Sequence, residues 1–243
     1  MATVYYKNTH IFCCTNYGYL DYTRNFIEYY KKLNATWKLH VYCMDKKSYD
    51  ILQLYKEIIV HFLPIPGFES FYEWGQPQYK TICYYRYKII YPLFKAKRIN
   101  FVIHFDTDIA LLKDPVDFMI VYMEKNKCDM AGQCDEKSLS CSSPITCPNI
   151  CGGCFIMRRC DTTLELCKES SYRNYIERFH SDQQYFNLKL TKKHSLPVNL
   201  FIHTPKESLL NENTYIYHFN WMVGDIKKSV MKEKGFWLLD DSA

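Results

Sequence analysis

The chain has 243 residues, 48% hydrophobic and 23% charged, with only 8 Gly and 9 Pro and a formal net charge of +5. That composition excludes a disordered or collagen-like chain, and the length allows a proper core without covalent staples. No run of 18 apolar residues occurs, so no transmembrane segment is expected; the mild, dispersed positive charge suits a small anionic ligand, and no nucleic-acid partner is expected.

In chain order, the apolar run His10–Thr15 predicts a strand that stops at Asn16-Tyr17-Gly18. A helix follows, because Tyr22, Phe26, Tyr29, Tyr30 and Leu33 recur at three- and four-residue spacing. Trp37–Met44 alternates like a strand and ends at Asp45; Tyr49–Ile58 reads as helix, and Ile59–Leu63 as a strand closed by Pro64 and Pro66. An aromatic loop, Gly67–Gln78, precedes a helix over Tyr79–Phe94 that is interrupted near Pro92. The nearly continuous apolar run Ile99–Phe105 predicts a strand buried on both faces. Further on, Cys128–Gln133 and Gly153–Arg158 read as strands, Thr162–Phe179 and the segment around Asp182–Leu190 as helices, and Asn213–Asn220 as a last strand. Strands alternating with helices predict an α/β fold: a Rossmann-like, mainly parallel sheet flanked by helices, with a small mixed second half. No internal repeat and no clean linker interrupts it, so one domain is expected over 1–243.

The sharpest local feature is Asp106-Thr107-Asp108, at the end of the buried strand. In an extended chain, side chains two apart share a side, so Asp106 and Asp108 can address one cation. Ligands of open α/β sheets sit beyond the carboxyl ends of strands, and paired carboxylates there suit Mg²⁺ or Mn²⁺. The Gly152-Gly153 pair lets a backbone approach a ligand closely, with Gly153 as the candidate ligand contact. Ser181 is a possible N-cap ahead of Asp182 and Gln183, and His218, Gly224 and Lys227 follow the last strand within a short span.

In this order, the segments Asp106–Pro115 (DTDIALLKDP), Gly152–Arg159 (GGCFIMRR), His180–Asn187 (HSDQQYFN) and His218–Lys228 (HFNWMVGDIKK) resemble the GT-A glycosyltransferases. More specifically they resemble the nucleotide-diphospho-sugar transferase family, which includes pectin xylosyltransferases and the glycogenin-like and galactosyltransferase-like retaining enzymes. The resemblance runs from Thr9 to about Lys228, and small glycosyltransferases of large DNA viruses are similar in size. It implies a GT-A fold and transfer of a sugar from a nucleotide diphosphate, UDP-linked, to a glycan or other hydroxyl acceptor. It further implies that Asp106, Asp108 and His218 hold Mn²⁺ (or Mg²⁺), with Asp106 also near the ribose. By the same resemblance Gly224 and Lys227 approach the donor phosphates, Asp182 and Gln183 face the donor sugar, Asn16 and Asp45 hold the nucleoside, and Arg86 or Lys88 supplies a basic donor contact. Residues 1–108 are then the nucleotide-binding half, and 109–243 the acceptor and metal-completing half. The family's second glycine position is often Asn or Ala, and Lys228 replaces the Pro-Trp end of some relatives; these departures bear on sugar and acceptor preference. Gln183 is a poor nucleophile, so retention by front-face attack is expected, with Asp182, Gln183 and Lys227 as the catalytic set.

Two other readings compete. An apolar strand ending in D-x-D also opens the haloacid-dehalogenase signature of Mg²⁺-dependent phosphohydrolases, but Ala110 stands where Thr or Val is usual. Cys134, Cys141, Cys147, Cys151, Cys154 and Cys160 suggest a zinc module, yet only one C-x-x-C is present. With no basic and apolar leader at Met1–Lys7, the 12 cysteines read as reduced thiols and the location as cytoplasmic (host cytoplasm for a viral protein).

Overall fold

The computed structural model describes residues 8–137, 147–179 and 181–240. Strand β1 (Thr9–Thr15) stops at Asn16, whose side chain accepts from the Tyr19 N–H and caps one 3-10 turn. Helix α1 (Leu20–Lys32) buries Tyr22, Phe26, Tyr29 and Tyr30 on the face that the spacing predicts. In β2 (Leu39–Cys43), Leu39, Val41 and Cys43 point inward. Asp45 caps α2 (Lys46–Leu52), so this helix starts and ends earlier than the pattern Tyr49–Ile58 implies. After β3 (Ile59–Phe62), α3 (Pro77–Lys95) runs through Pro92 instead of breaking there. The proline falls in the last turns, where it removes a single backbone bond, and its carbonyl still accepts from Ala96 at 3.0 Å.

Strand β4 (Phe101–Phe105) is buried throughout, and β5 (Ile109–Leu111) begins just past the acidic pair. Helix α4 (Val116–Asn126) has no counterpart in the sequence reading, although Val116, Met119, Ile120 and Met123 bury one face at helical spacing. Strands β6 (Met130–Cys134) and β7 (Ile150–Arg158) follow; β7 starts at Ile150, so the glycine pair lies inside it rather than at its start. The helix expected over Thr162–Phe179 is two, α5 (Asp161–Cys167) and α6 (Glu169–Ile176), because Lys168 is extended at φ −72°, ψ 130°. The rest are α7 (Asp182–Lys189), β8 (Lys193–Ser195), β9 (Phe201–His203), β10 (Ile216–His218) and α8 (Gly224–Glu233).

The expected α/β class holds. Seven strands, mostly parallel, form one sheet in the order β3-β2-β1-β4-β7-β6-β8, and β5-β10-β9 form a smaller mixed sheet. The chain winds outward from β1 to β3 and resumes on the other side of β1 with β4, which makes the β1/β4 junction a topological switch point. Asn16 and Asp106 stand at the ends of these two strands.

Two compact units divide the chain: one is Met1–Ile11, Trp74–His104 and Val116–Val198, the other Phe12–Glu73, Phe105–Pro115 and Asn199–Ala243. The first has an aromatic core in which Tyr84, Tyr87, Tyr172 and Tyr185 pack ring to ring. The second buries Tyr22, Ile202, Tyr217, Phe219 and Met231 together. Among the described residues no helix is long and apolar enough to cross a membrane.

One expectation about the cysteines is corrected. Cys134 and Cys147 form a disulfide, with their Cα atoms 6.1 Å apart. Antiparallel pairing sets Cys134 opposite Ile150, so the nearby Cys147 comes within reach. Nine other cysteines are free thiols, and Cys141 lies outside the described residues.

Candidate active site

The second unit gathers the acidic pair. Asp106 and Asp108 leave β4, while His218 ends β10; the β5–β10 ladder pairs Ile109 with His218 and so joins residues far apart in sequence. One ligand atom from each of Asp106, Asp108 and His218 lies within 4.8 Å of the others. Asp108 Oδ1 is 3.1 Å from His218 Nε2, and its Oδ2 accepts from Lys227 Nζ, which α8 supplies. His218 is buried, whereas the Asp108 side chain keeps 13% exposure. Burial alone pushes the Asp108 carboxyl upward, but Lys227 and His218 outweigh it and hold it well below the usual carboxylate range. Two carboxylates and an imidazole form a donor set that fits a divalent ion such as Mn²⁺ or Mg²⁺.

Gly224 opens α8 at φ +58°, a left-handed conformation that favours glycine, and its carbonyl accepts from Tyr22 Oη at 3.4 Å. A Cβ here would stand 3.0 Å from Glu73 Oε1. Asn16 and Asp45 are both buried and already employed: Asn16 Nδ2 donates to the Ser70 carbonyl at 2.8 Å, and Asp45 accepts from the Tyr17 and Ser48 N–H groups at 2.6 and 2.9 Å. Their visible work is to shape the chain at the strand ends. Gly18, read from the sequence only as part of the strand's stop, belongs with them, since a Cβ there would lie 2.1 Å from the Phe71 nitrogen. Phe71 is tucked against Tyr19 at 4.5 Å between ring centroids, while Trp221 stays exposed with φ +61°.

The first unit gathers a second polar cluster. Arg86 of α3 and Asp182 of α7 are both buried, with Arg86 Nε 3.2 Å from Asp182 Oδ2. The Nε hydrogen is directed to the Cys83 carbonyl at 3.0 Å. Arg86 Nη1 donates to the Gly152 carbonyl, and the Gly152 N–H donates to Gln183 Oε1 at 2.9 Å. A Cβ on Gly152 would meet Arg86 Nη1 at 3.2 Å and Asp182 Oδ1 at 3.4 Å, a tight fit that a methyl enters only if the Arg86 tip gives by a few tenths of an ångström. Of the glycine pair it is therefore Gly152 that faces this cluster; the Gly153 N–H is directed to Cys151 Sγ at 3.3 Å. Of the two basic candidates on α3, Arg86 is in the cluster and Lys88 is exposed. Asp135, just past β6, accepts from Gln183 Nε2; the sequence reading missed it, and only its place at the end of a strand could have pointed to it.

No Cys/His zinc cluster occurs among the described residues, where the Asp106, Asp108 and His218 group is the one set of three metal-ligating side chains.

Comparison with known proteins assigns the class. The profile of the nucleotide-diphospho-sugar transferase family matches residues 35–232, most of the chain. The chain belongs to that family and is, by family, a glycosyltransferase. Its GT-A fold is shared with solved structures of low sequence identity. A glycosyltransferase from Streptococcus pneumoniae TIGR4, GlyE, aligns with a TM-score of 0.61 and 13% identity over 97% of this chain, which spans only 61% of that protein. The galactosyltransferase LgtC, solved with donor and acceptor sugar analogues, aligns with a TM-score of 0.54 and 8% identity, covering 96% of this chain and 98% of its own. A glycosyltransferase involved in glycosylation of the major capsid of PBCV-1 gives 0.53 and 12% identity over 93% of this chain and 98% of its own. No curated protein sequence matches the chain.

Proposed function

We propose that this protein moves a sugar from a nucleotide diphosphate donor, UDP-linked, to a hydroxyl of a glycan acceptor, with a divalent cation and with retention at the anomeric carbon. The observation that carries the reading is the Asp106, Asp108 and His218 group, within 4.8 Å, in a chain of this family. Asp106, Asp108 and His218 hold the cation, for which the imidazole favours Mn²⁺. When bound, the cation supplies positive charge to the departing diphosphate.

The chain's own groups supply the rest. Lys227 carries an ammonium at the start of α8, where it can pass from Asp108 to a leaving phosphate oxygen and stabilise its negative charge. Gly224, with no side chain, allows the backbone to approach the phosphates. Arg86 stands 3.2 Å from the buried Asp182, whose carboxyl oxygens can accept from sugar hydroxyls while Gln183 stands beside it. Gln183 is a poor nucleophile, which supports front-face attack with the departing phosphate oxygen taking the acceptor proton.

A panel of nucleotide sugars tests the reading by thermal shift and hydrolysis, with and without Mn²⁺. UDP-sugars are expected to shift the wild-type midpoint only with the metal present, and Asp108→Asn to abolish the shift. Failure of every UDP-sugar to bind in a metal-dependent way sinks the proposal; an inverted anomer, seen in an NMR time course, removes the retention part alone.

A further inference from the structure

We infer that Asp135 is a positioning residue: its carboxylate fixes the side-chain amide of Gln183 in one orientation and so holds the Gly152–Gln183–Asp182 wall in place. The functional part of this inference rests on reading that wall as the donor-sugar side of the site.

The argument starts from an irregularity in the sheet. Cys134 pairs with Ile150 and Gly132 with Phe155, so β6 advances two residues while β7 advances five. Such a bulge takes main-chain groups out of the ladder. At Gly152 both released groups are taken up by side chains: the N–H donates to Gln183 Oε1, and the carbonyl accepts from Arg86. A few residues along α7, Asn187 repeats the arrangement at Ile150, accepting from its N–H at 3.1 Å and donating to its carbonyl at 2.9 Å. Gln183 and Asn187 therefore lace α7 to alternate residues at the start of β7.

Gln183 differs from Asn187 in where its NH₂ goes: Arg86 takes the Gly152 carbonyl, so the amide donates to Asp135 instead. An amide can turn end for end, and only its partners decide which end faces where. The Gly152 N–H can only donate, and it demands the oxygen. Asp135 can only accept when ionised, and it demands the NH₂. A flipped amide would face donor with donor and acceptor with acceptor. Asp135 is itself held from behind: its N–H donates to the Asn149 carbonyl at 3.0 Å, and the adjacent Cys134 is tied to Cys147. Gln183 Oε1 is thus committed to Gly152, which makes Gln183 part of the wall and leaves it unsuited to attack an anomeric carbon.

Two measurements test this, one independent of turnover. In thermal unfolding, Gln183→Glu sets two carboxylates face to face and is expected to lower the midpoint, while adding Asp135→Asn restores at least half of the loss. Strictly additive losses in the double variant mean that the two side chains do not touch, and that overturns the inference whatever the activity. In steady-state kinetics, Asp135→Ala is expected to lower kcat by about tenfold with donor KM changed less than about twofold, the pattern of a misplaced wall. Asp135→Asn, whose carbonyl can still accept from Gln183, recovers most of that loss. An Asn variant as impaired as the Ala variant would mean that the charge itself takes part in the chemistry, and a fully active Ala variant that the clamp does nothing; either result overturns the positioning role. If the wild type turns over no nucleotide sugar, the functional proposal falls, and the unfolding cycle still decides the contact.

Discussion

Asp108 serves two partners, Lys227 and His218, with one carboxylate. Removing its charge leaves Lys227 only partly exposed without its counter-ion and takes one oxygen from the three-residue donor set. Asp108→Asn is therefore expected to lower turnover by about 10²- to 10³-fold, the several kcal/mol a well-held cation contributes, and to weaken Mn²⁺ binding measured by calorimetry. Two glycines make predictions of another kind. Gly18→Ala drives a methyl into the Phe71 backbone, and since backbone cannot swing aside as a side-chain tip can, about 3 kcal/mol of stability is expected to be lost in urea unfolding. Gly152→Ala meets only the ends of Arg86 and Asp182, so its cost is expected to be smaller, about 1–2 kcal/mol, and its effect on donor KM larger.

At the level of elements, β2 and β3 carry a pH response. His40 Nδ1 and His61 Nε2 lie 2.8 Å apart across this parallel pair, their rings stacked. Burial, and after it the neighbouring imidazole, lowers His40 to about 4, and burial lowers His61 as well. A base whose folded pKa is depressed binds fewer protons folded than unfolded, so its contribution is intact above about pH 6.5 and is lost as the pH falls toward 4. The melting midpoint should drop between pH 7 and pH 5, and His40→Gln should flatten that drop; an unchanged slope would refute the assignment. The elements also show where the sequence was legible. Strands β1, β2 and β4 and helix α1 were readable because their apolar periods are strong and their ends are marked by Asn16, Asp45 and Asp106. Helix α4 is harder to read, because it follows Pro115 directly and its apolar period is short. The Asp106, Asp108 and His218 set was legible through resemblance to a family, whereas the Gly152 bulge and the Asp135 clamp depend on register between β6 and β7, which no local spacing records. Lys168, where one expected helix becomes two, has no breaker residue at all.

For the molecule as a whole, the family and the GT-A fold agree with the α/β order of elements, and the site residues fall into two groups, each within one compact unit. Lys227 and His218 both engage Asp108, so the chain's own groups partner this carboxylate. Chelation is expected to stop turnover while leaving a cooperative unfolding transition, its midpoint lower only by the few degrees that mass action gives; loss of the transition would contradict this. The interleaved division of the chain has a further consequence, for biosynthesis. Neither unit is a continuous stretch: the second requires Phe12–Glu73, Phe105–Pro115 and everything from Asn199 onward. While the ribosome is still extending the chain, α1, β2 and β3 can form, but the aromatic core that Ile202, Tyr217 and Met231 complete cannot. The stretch from Asn199 onward is thus the one that closes the second unit, and until it emerges Tyr22 and its neighbours wait as exposed apolar surface for chaperones to cover.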